Sequence, residues 1–298
     1  MAKFDDQYKN MKQAYEASSK ILKKRMEKER PLDLEILKKV DESSIVIVAG
    51  VYDKVELVLD LIKIPYVLIQ PADFDKINLR PDQILIINCP GEISEGLSKI
   101  KNFVKQGGFL FTTDWALLNI LEKLFPELLR YNKKPTLDDC VGVEVVDKSN
   151  KFLEGLFQGE ADPIWWLESS SYPIEILDKE KVKVLVTSRE MKEKYGEAPI
   201  VITFDYGDGG TVLHMTSHYY LQRSELRTKR HKSSAKDYFM SEMGFSKKDA
   251  DEIEELEGLS LGEAENAYST TQFISNVIVE QQKKVKKRKE QKEKESLK

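Results

Sequence analysis

Four short runs of apolar, largely β-branched residues alternate with helical patterns in the first half of this chain. The runs lie at residues 45–49, 66–69, 83–88 and 109–113, and Gly or Pro follows the first three. Near-continuous apolar runs of this kind are typical of strands that are buried on both faces. Strand–helix alternation with short connections produces parallel strands joined by right-handed crossovers. The sequence therefore predicts an α/β fold in three layers, with a mostly parallel sheet between helices.

The pattern changes after residue 138, where short strand-like runs follow one another with little helix between them. These runs lie at residues 141–146, 165–167, 173–177, 183–187, 199–204 and 211–216. Asp208-Gly209-Gly210 is a hairpin-type turn between the last two runs. We therefore expect mixed or antiparallel strands at the edge of the sheet.

The chain divides into an α/β core and charged extensions at both ends. The expected segments are an N-terminal helical arm (1–42), the core (43–222), a charged helical excursion (223–264), a helix returning to the core (265–282) and a charged, disordered tail (283–298). Tyr8, Met11 and Tyr15 belong to the apolar stripe of the arm, which begins at Phe4. This stripe packs either on the chain's own core or on another chain, so the arm is a candidate surface for a protein partner or for self-association.

Charge and composition exclude several classes of protein. The 47 basic and 51 acidic side chains leave a formal net charge of −4, which gives no global reason to expect a polyanion partner. The basic runs at residues 227–232 and 283–289 contain no interleaved aromatic residues, so nucleic-acid binding is not expected. No run is long enough to span a membrane, and the first 30 residues lack the apolar core of a signal peptide.

The two cysteines, Cys89 and Cys140, form no CxxC motif, and so few cysteines fit a reducing compartment. We therefore expect a cytoplasmic protein. Residues 207–210 form a Gly-rich turn between strands that lacks the Lys-Ser/Thr of a phosphate-binding loop. No cofactor is expected.

Ligands of open parallel sheets bind at the carboxyl ends of the strands. The residues that follow the predicted strands are therefore the candidates for a ligand cleft. They are Tyr52, Asn88, Gly91, Thr113, Asp114, Trp115, Ser217 and His218.

This layout resembles a known family. A strand that ends in Pro90-Gly91, a helix that ends in Gly107-Gly108, the segment 109–114 before a helix, and a late strand that ends in Ser217-His218 are similar to the class I glutamine-amidotransferase-like superfamily. The resemblance covers residues 44–220 and the returning helix, and it implies a flavodoxin-like fold. Within the superfamily, the chain resembles the non-catalytic domains of intraflagellar-transport-type and other scaffold proteins.

Active members of this superfamily carry a cysteine on a sharp strand-to-helix turn between glycines, and a histidine followed two residues later by a glutamate. Here Asp114 lies at the turn with no glycine beside it, and Tyr220 lies two residues after His218. The resemblance therefore implies a degenerate member in which a cysteine thiolate does not perform acyl transfer.

Three residues are nevertheless candidates for catalysis. Asp114 and His218 are either a catalytic acid–imidazole pair or a buried hydrogen-bonded pair, and Cys89 could supply a thiol if His218 is near. His214 is expected to be packed within a strand, and His231 to be solvated in the charged excursion. Histidines so placed do not predict a zinc site, so no metal is expected.

Trp165 and Trp166 are adjacent in a predicted strand and should point to opposite faces, which makes an exposed tryptophan a candidate interface residue. Three functions remain open. The first is a non-enzymatic protein-interaction or scaffold module. The second is a hydrolase or transferase that uses Asp114 and His218 with Cys89. The third is a small-ligand sensor at the strand-end cleft. The missing nucleophile favours the first.

Overall fold

The computed structural model describes residues 2–157, 161–220 and 223–296, with side chains between residues 10 and 295. The helices are α1 (Ala2–Glu29), α2 (Pro31–Lys38), α3 (Val55–Leu61), α4 (Leu97–Lys105), α5 (Glu122–Leu124), α6 (Arg189–Tyr195), α7 (Ala235–Ser241), α8 (Lys247–Asp251) and α9 (Leu261–Ser296). The strands are β1 (Ile45–Val48), β2 (Val67–Ile69), β3 (Ile84–Ile87), β4 (Phe109–Thr113), β5 (Leu129–Tyr131), β6 (Asp139–Gly142), β7 (Glu144–Val145), β8 (Ile164–Leu167), β9 (Ile174–Ile176), β10 (Lys183–Thr187), β11 (Pro199–Tyr206) and β12 (Gly210–Met215). A π-helical turn, Leu117–Leu121, leads into α5.

Eight of the described strands form one sheet, in the order β2-β1-β3-β4-β12-β11-β10-β7. The first five strands in this order are parallel, and β11, β10 and β7 pair antiparallel. With β12 counted as the fifth strand, the parallel part has the 2-1-3-4-5 order of flavodoxin-like folds. The predicted three-layer, mostly parallel sheet with mixed edge strands is therefore confirmed.

The central strands β1, β3 and β4 are buried on both faces, as their apolar runs require. In β1, Ile45 and Ile47 pack in the cluster that contains the apolar faces of α1, α3 and α9, whereas Val46 and Val48 pack in the cluster with α4. All four side chains are buried. Strand alternation therefore places one layer of helices on each side of the sheet.

The N-terminal arm is part of the core and is not a detached surface. Met11 and Tyr15 are buried where α1 packs along α9, and the Tyr15 hydroxyl lies 2.9 Å from Thr270 Oγ1. The expectation that Met11 and Tyr15 form a partner surface is thus corrected, because helical periodicity gives the apolar stripe but not the identity of its partner. The Tyr8 side chain lies outside the described residues.

The C-terminal segment differs from the expected disordered tail. Helix α9 continues to Ser296, and Val285 is buried within it. Arg288 donates to the carbonyl oxygen of Gly107 at 2.8 Å, and Lys289 lies 3.4 Å from Asp82. Lys and Glu are good helix formers, and they extend a helix that is already nucleated, so this composition favours continued helix once the start is anchored.

None of the described helices is long and apolar enough to cross a membrane.

Candidate functional site

The carboxyl ends of β1, β3, β4 and β12 meet at one edge of the sheet, and the site is built from the loops that follow them. The strand order reverses direction between β1 and β3, which is where flavodoxin-like folds bind ligands. The loop after β3 packs closely on the turn after β4. A Cβ atom at Gly91, whose φ is +69°, would lie 2.8 Å from the Ala116 side chain. Glycine is therefore required at this position for the two loops to approach each other.

Asp114 occupies a strained turn directly after β4. Its φ is +39°, in the region that non-glycine residues rarely adopt. The backbone amide of Asp114 donates to the Met215 carbonyl oxygen at 2.9 Å, and its own carbonyl oxygen accepts from Leu117 N at 2.8 Å. The sequence has no glycine beside residue 114 to permit a strained backbone. The structure shows instead that Asp114 itself takes the strained conformation, which Asp tolerates better than most residues.

The Asp114 carboxylate is buried and fully engaged. Ser171 Oγ donates to Oδ2 at 2.9 Å, and the backbone amide of Tyr172 donates to Oδ1 at 2.8 Å. His218 Nε2 lies 3.1 Å from Oδ2, and only 1% of Asp114 is exposed. These three contacts tie the segment after β8 and the loop after β12 to the end of β4.

His218 lies between two carboxylates. Its Nε2 faces Asp114, and its Nδ1 lies 2.8 Å from Glu168 Oε2. Burial of the imidazole opposes its charged form, but hydrogen bonds to Asp114, Cys89 and Glu168 outweigh burial and raise the pKa of His218 well above its ordinary value. Burial raises the pKa of Asp114, against the hydrogen bond and charge of His218. Each ring nitrogen of the imidazole thus faces a carboxyl group.

Glu168 is a residue that the sequence analysis missed. It follows β8, which pairs with β6 outside the main sheet, and it lies fifty residues before His218 in the sequence. The superfamily resemblance directed attention to the second residue after His218, where Tyr220 stands. Glu168 could have been identified from the sequence because it directly follows the apolar run that ends at Leu167, as the other site residues follow their strands.

Cys89 lies beside this pair but is a protonated thiol. Its Sγ, a carboxylate oxygen of Asp114 and a ring nitrogen of His218 lie within 4.8 Å of one another. Burial raises the pKa of Cys89 to about 11, although the neighbouring His218 acts in the opposite direction. The structure therefore brings the three predicted catalytic candidates together, but it does not present Cys89 as a thiolate.

Asp53, which follows β1, is a second missed carboxylate. It is fully buried and accepts hydrogen bonds from Lys54 N at 2.8 Å and from Tyr219 N at 2.7 Å. Burial raises the pKa of Asp53, against the effect of the nearby His218. Its contact with Tyr219 N fixes the backbone directly after His218.

Three of the expected cleft residues have structural roles. Asn88 is buried, and its Nδ2 donates to Glu56 at 2.7 Å. Thr113 Oγ1 accepts from Cys89 N at 3.0 Å, and Ser217 Oγ donates to the Trp166 carbonyl oxygen at 2.8 Å. These hydrogen bonds occupy polar groups that could otherwise bind a ligand.

Tyr52 and Trp115, the remaining expected cleft residues, form an aromatic row with Tyr172 and Tyr131 at the same edge of the sheet. Trp115 stacks on Tyr172 with ring centroids 5.4 Å apart, and Tyr52 lies against Trp115 at 5.3 Å. The row continues to Tyr131, 4.1 Å from Tyr172. Trp115 Nε1 donates to the Ser170 carbonyl oxygen at 2.7 Å, which holds the row against the segment that engages Asp114.

The two adjacent tryptophans lie on opposite sides of β8. Trp165 is fully buried, and its Nε1 donates to Ser269 Oγ of α9 at 3.0 Å. Trp166 is partly exposed, donates to Asp138 at 2.6 Å, and packs edge-on against His218 at 6.3 Å. Trp165 is therefore a core residue, whereas Trp166 covers one side of the buried imidazole.

His214 gives a pH-dependent prediction that is separate from the site. It is fully buried in β12 with Nδ1 2.9 Å from Thr112 Oγ1, and burial lowers its pKa to about 3. A buried neutral histidine stabilises the fold above its unfolded pKa of about 6.5, and this contribution is lost as the pH falls. We expect the loss of this contribution to lower the free energy of unfolding by about 2–3 kcal/mol as the pH falls from about 7 to about 4.5.

Urea unfolding of the wild type and of His214→Asn over this pH range tests the prediction. The variant should have the shallower dependence of unfolding free energy on pH, whatever its stability at pH 7. Equal slopes for the two proteins would show that His214 is not held neutral.

Neither a family model nor a curated protein matches the chain. Solved structures with similar folds include a glutamine amidotransferase from Thermotoga maritima, which is 13% identical with a TM-score of 0.48 and covers 80% of this chain and 99% of its own. A β-galactosidase from Rahnella sp. R3 is 16% identical with a TM-score of 0.40, covering 60% of this chain and 29% of the enzyme. Agd3, a carbohydrate deacetylase, is 11% identical with a TM-score of 0.42, covering 73% of this chain and 33% of its own.

This chain thus spans less than a third of the β-galactosidase that it matches. At these identities, the activities of the three proteins are not assigned to it.

Proposed function

We propose that this chain is a non-enzymatic protein-interaction module that binds an acidic amphipathic helix of a partner protein. The observation that carries the proposal is an apolar groove of about 610 Å³ between α1, α2 and the end of α3, which we name the arm groove. Its apolar lining residues are Leu22, Met26, Leu34, Leu37, Leu61, Ile62 and Ile64.

The shape of the arm groove favours a helix as its occupant. Its wall on α1 runs from Glu16 to Met26, and the lining residues recur at three- and four-residue steps on one face of that helix. Ten residues of α-helix rise about 15 Å, so the groove accommodates about three turns of a second helix. Helix-in-groove binding uses an apolar stripe of this length.

The charge around the arm groove favours an acidic occupant. Its lining includes four lysines, Lys20, Lys23, Lys38 and Lys63, against two acidic residues, Glu16 and Glu255. The Lys20 ammonium already pairs with Glu255. Lys38 pairs with Glu35 at 2.9 Å, whereas Lys23 and Lys63 are exposed and stand where the charged flanks of a bound helix would lie.

The edge strand β2, which follows Ile64 closely in the chain, leaves an apolar side chain exposed on the groove side of the sheet. Leu68 is 44% exposed and pairs in register with Ile47, whose side chain packs in the layer of α1 and α3. Val67 pairs with Val46 and faces the opposite layer. Exposed apolar residues next to an apolar groove are typical of a protein–protein interaction surface.

The strand-end site supports the non-enzymatic part of the proposal. Acyl transfer needs an activated nucleophile that the substrate can reach. Asp114 is buried with its carboxylate oxygens engaged, and Cys89 is a buried thiol with a raised pKa. The lost nucleophile agrees with the resemblance to non-catalytic members of the superfamily.

A charge-swap experiment tests the arm groove. Two synthetic helical peptides share one Leu/Ile stripe, and one carries Glu and the other Lys on its flanks. Methyl NMR of the full chain should show that the Glu peptide shifts the methyl signals of Ile62, Ile64 and Leu37. The Lys23→Glu/Lys38→Glu/Lys63→Glu variant should bind the Glu peptide about tenfold or more weakly and should gain affinity for the Lys peptide.

The matched control is Lys123→Glu/Lys148→Glu/Lys179→Glu, which reverses three exposed lysines outside the groove and should bind like the wild type. Equal affinity of both peptides for the wild type, or equal losses in both triple variants, would contradict the proposal. Shifts in methyl groups outside the groove would also contradict it.

One observation favours a second candidate, a hydrolase or transferase. His218 Nε2 lies 3.1 Å from Asp114 Oδ2, well within the reach that acid–base catalysis needs. Assays with p-nitrophenyl acetate and with glutamine decide between the two. Turnover that is lost in His218→Asn and kept in Cys140→Ser would support the enzyme, whereas rates equal to those of buffer support the interaction module.

A further inference from the structure

We propose that Cys89, Asp114 and His218 form a binding site for a divalent transition metal of the zinc class. The inference goes beyond the interaction module and does not depend on it, because the arm groove and this site share no residue. Each of the three residues follows a different strand of the parallel sheet, so the main chain of β3, β4 and β12 holds them in register.

The distances suit a tetrahedral metal. The three ligand atoms lie within 4.8 Å of one another, and one pair, His218 Nε2 and Asp114 Oδ2, is 3.1 Å apart. Zinc bonds of about 2.0–2.3 Å place tetrahedral ligand atoms about 3.3–3.8 Å from each other. Small side-chain rotations therefore suffice to form the site.

The ligand types select the metal. A thiolate, an imidazole and a carboxylate are the ligands of zinc and neighbouring transition metals, whereas calcium and magnesium require oxygen ligands alone. Three protein ligands leave the fourth position to a water molecule or a small-molecule donor. Binding releases the thiol proton of Cys89 and the Nε2 proton of His218 to solvent.

The hydrogen-bond partners of His218 and Asp114 support the proposed metal site. Metal-bound histidines almost always donate their other ring N–H to a carboxylate or carbonyl oxygen, and His218 Nδ1 lies 2.8 Å from Glu168 Oε2. Ser171 Oγ and the Tyr172 amide hold the Asp114 carboxylate. Hydrogen bonds to both the histidine and the carboxylate fix the orientation of these ligands before a metal arrives.

A second cluster with metal-ligand residue types lacks these features. Asp162, His231 and Glu265 also have ligand atoms within 4.8 Å, but Arg230 pairs with both of their carboxylates. His231 Nδ1 accepts hydrogen bonds from the backbone amides of residues 227 and 228, so the proton is on Nε2, which faces Asp162. His231 Nδ1 is therefore occupied as an acceptor, and Arg230 occupies both carboxylates that would complete a metal site.

Cobalt(II) binding to the chelator-treated full chain tests the proposal. We expect one Co²⁺ per chain by native mass spectrometry, intense visible bands of a four-coordinate ion, and a near-ultraviolet thiolate-to-cobalt charge-transfer band. Cys89→Ser should lose the charge-transfer band. Cys140→Ser, which alters the other buried cysteine, should keep it.

Glu168→Gln should retain the bands but bind the metal about 10–100-fold more weakly, because only the hydrogen bond to the ligating histidine changes. Circular dichroism establishes that each variant is folded. A wild-type chain that takes up no Co²⁺ would overturn the proposal. So would a charge-transfer band that survives Cys89→Ser, or one that is lost equally in Cys140→Ser. The result of the peptide experiment on the arm groove does not depend on whether the chain binds Co²⁺.

Discussion

Replacing Asp114 with alanine is expected to lower the free energy of unfolding of the metal-free chain by about 3–5 kcal/mol. The substitution removes one carboxyl group of the buried Asp114–His218–Glu168 arrangement, so that the imidazole loses the partner facing its Nε2. It also leaves Ser171 Oγ and the Tyr172 amide without their acceptor in a buried site. Loss of one member of a buried ion pair is among the most destabilising single changes.

Asp114→Asn should cost much less than alanine. Asparagine keeps an acceptor for Ser171 or the Tyr172 amide, and it tolerates the positive φ of this turn nearly as well as aspartate. Asp73→Ala is the matched control, because Asp73 is a half-exposed carboxylate paired with Lys76, and it should change the unfolding free energy by less than about 0.5 kcal/mol. Urea unfolding followed by tryptophan fluorescence measures all three. Similar losses in Asp114→Ala and Asp73→Ala would show that the buried network does not hold the strand-end loops.

Tyr15→Ala is expected to lower the free energy of unfolding by about 3–5 kcal/mol, as is usual for truncation of a buried aromatic side chain. Tyr15 is fully buried between α1 and α9, 5.5 Å from the ring of Tyr220. Its hydroxyl contacts Thr270 Oγ1 and accepts a hydrogen bond from the Tyr220 amide at 3.1 Å. The arm is thereby joined to the returning helix and to the loop after β12.

Tyr15→Phe isolates the hydroxyl and should cost about 1–2 kcal/mol, since two buried polar groups lose a partner. Lys12→Ala, on the exposed side of the same helix, is the control and should be nearly neutral. Urea unfolding again provides the measurement. A nearly neutral Tyr15→Ala would mean that α1 is not part of the core. For the same reason, deletion of residues 1–42 should unfold the protein and is not a clean test of partner binding.

The sheet could be predicted because each of its strands is defined by residues that are contiguous in the sequence. The run at 45–48 is apolar at every position, which only a strand covered on both faces requires, and Gly50 marks its end. The antiparallel edge could be predicted from the hairpin turn at Asp208–Gly210. The strand ends then indicated where polar residues would gather, which placed Asp114, His218 and Cys89 at one edge.

What could not be predicted depends on long-range contacts. Glu168 reaches His218 from a separate two-stranded sheet, and no spacing rule in the sequence joins them. His231 was expected in solvent because its neighbours in sequence are charged, yet it is buried against Asp162. The apolar stripe of α1 has the same periodicity whether it packs on α9 or on another chain. In each case the deciding partner lies fifty or more residues away in the sequence.

The central claim, that the arm groove binds an acidic helix of a partner protein, is tested most directly by site-specific photo-cross-linking in the native cell. A photoreactive amino acid replaces Ser19, which lines the groove, and in a control replaces Ser149, which is exposed outside the groove. We predict that position 19, and not position 149, cross-links one partner protein through a peptide that is acidic and has a helical apolar stripe. Cross-links from position 19 only to other copies of this chain, or the same products from both positions, would contradict the account.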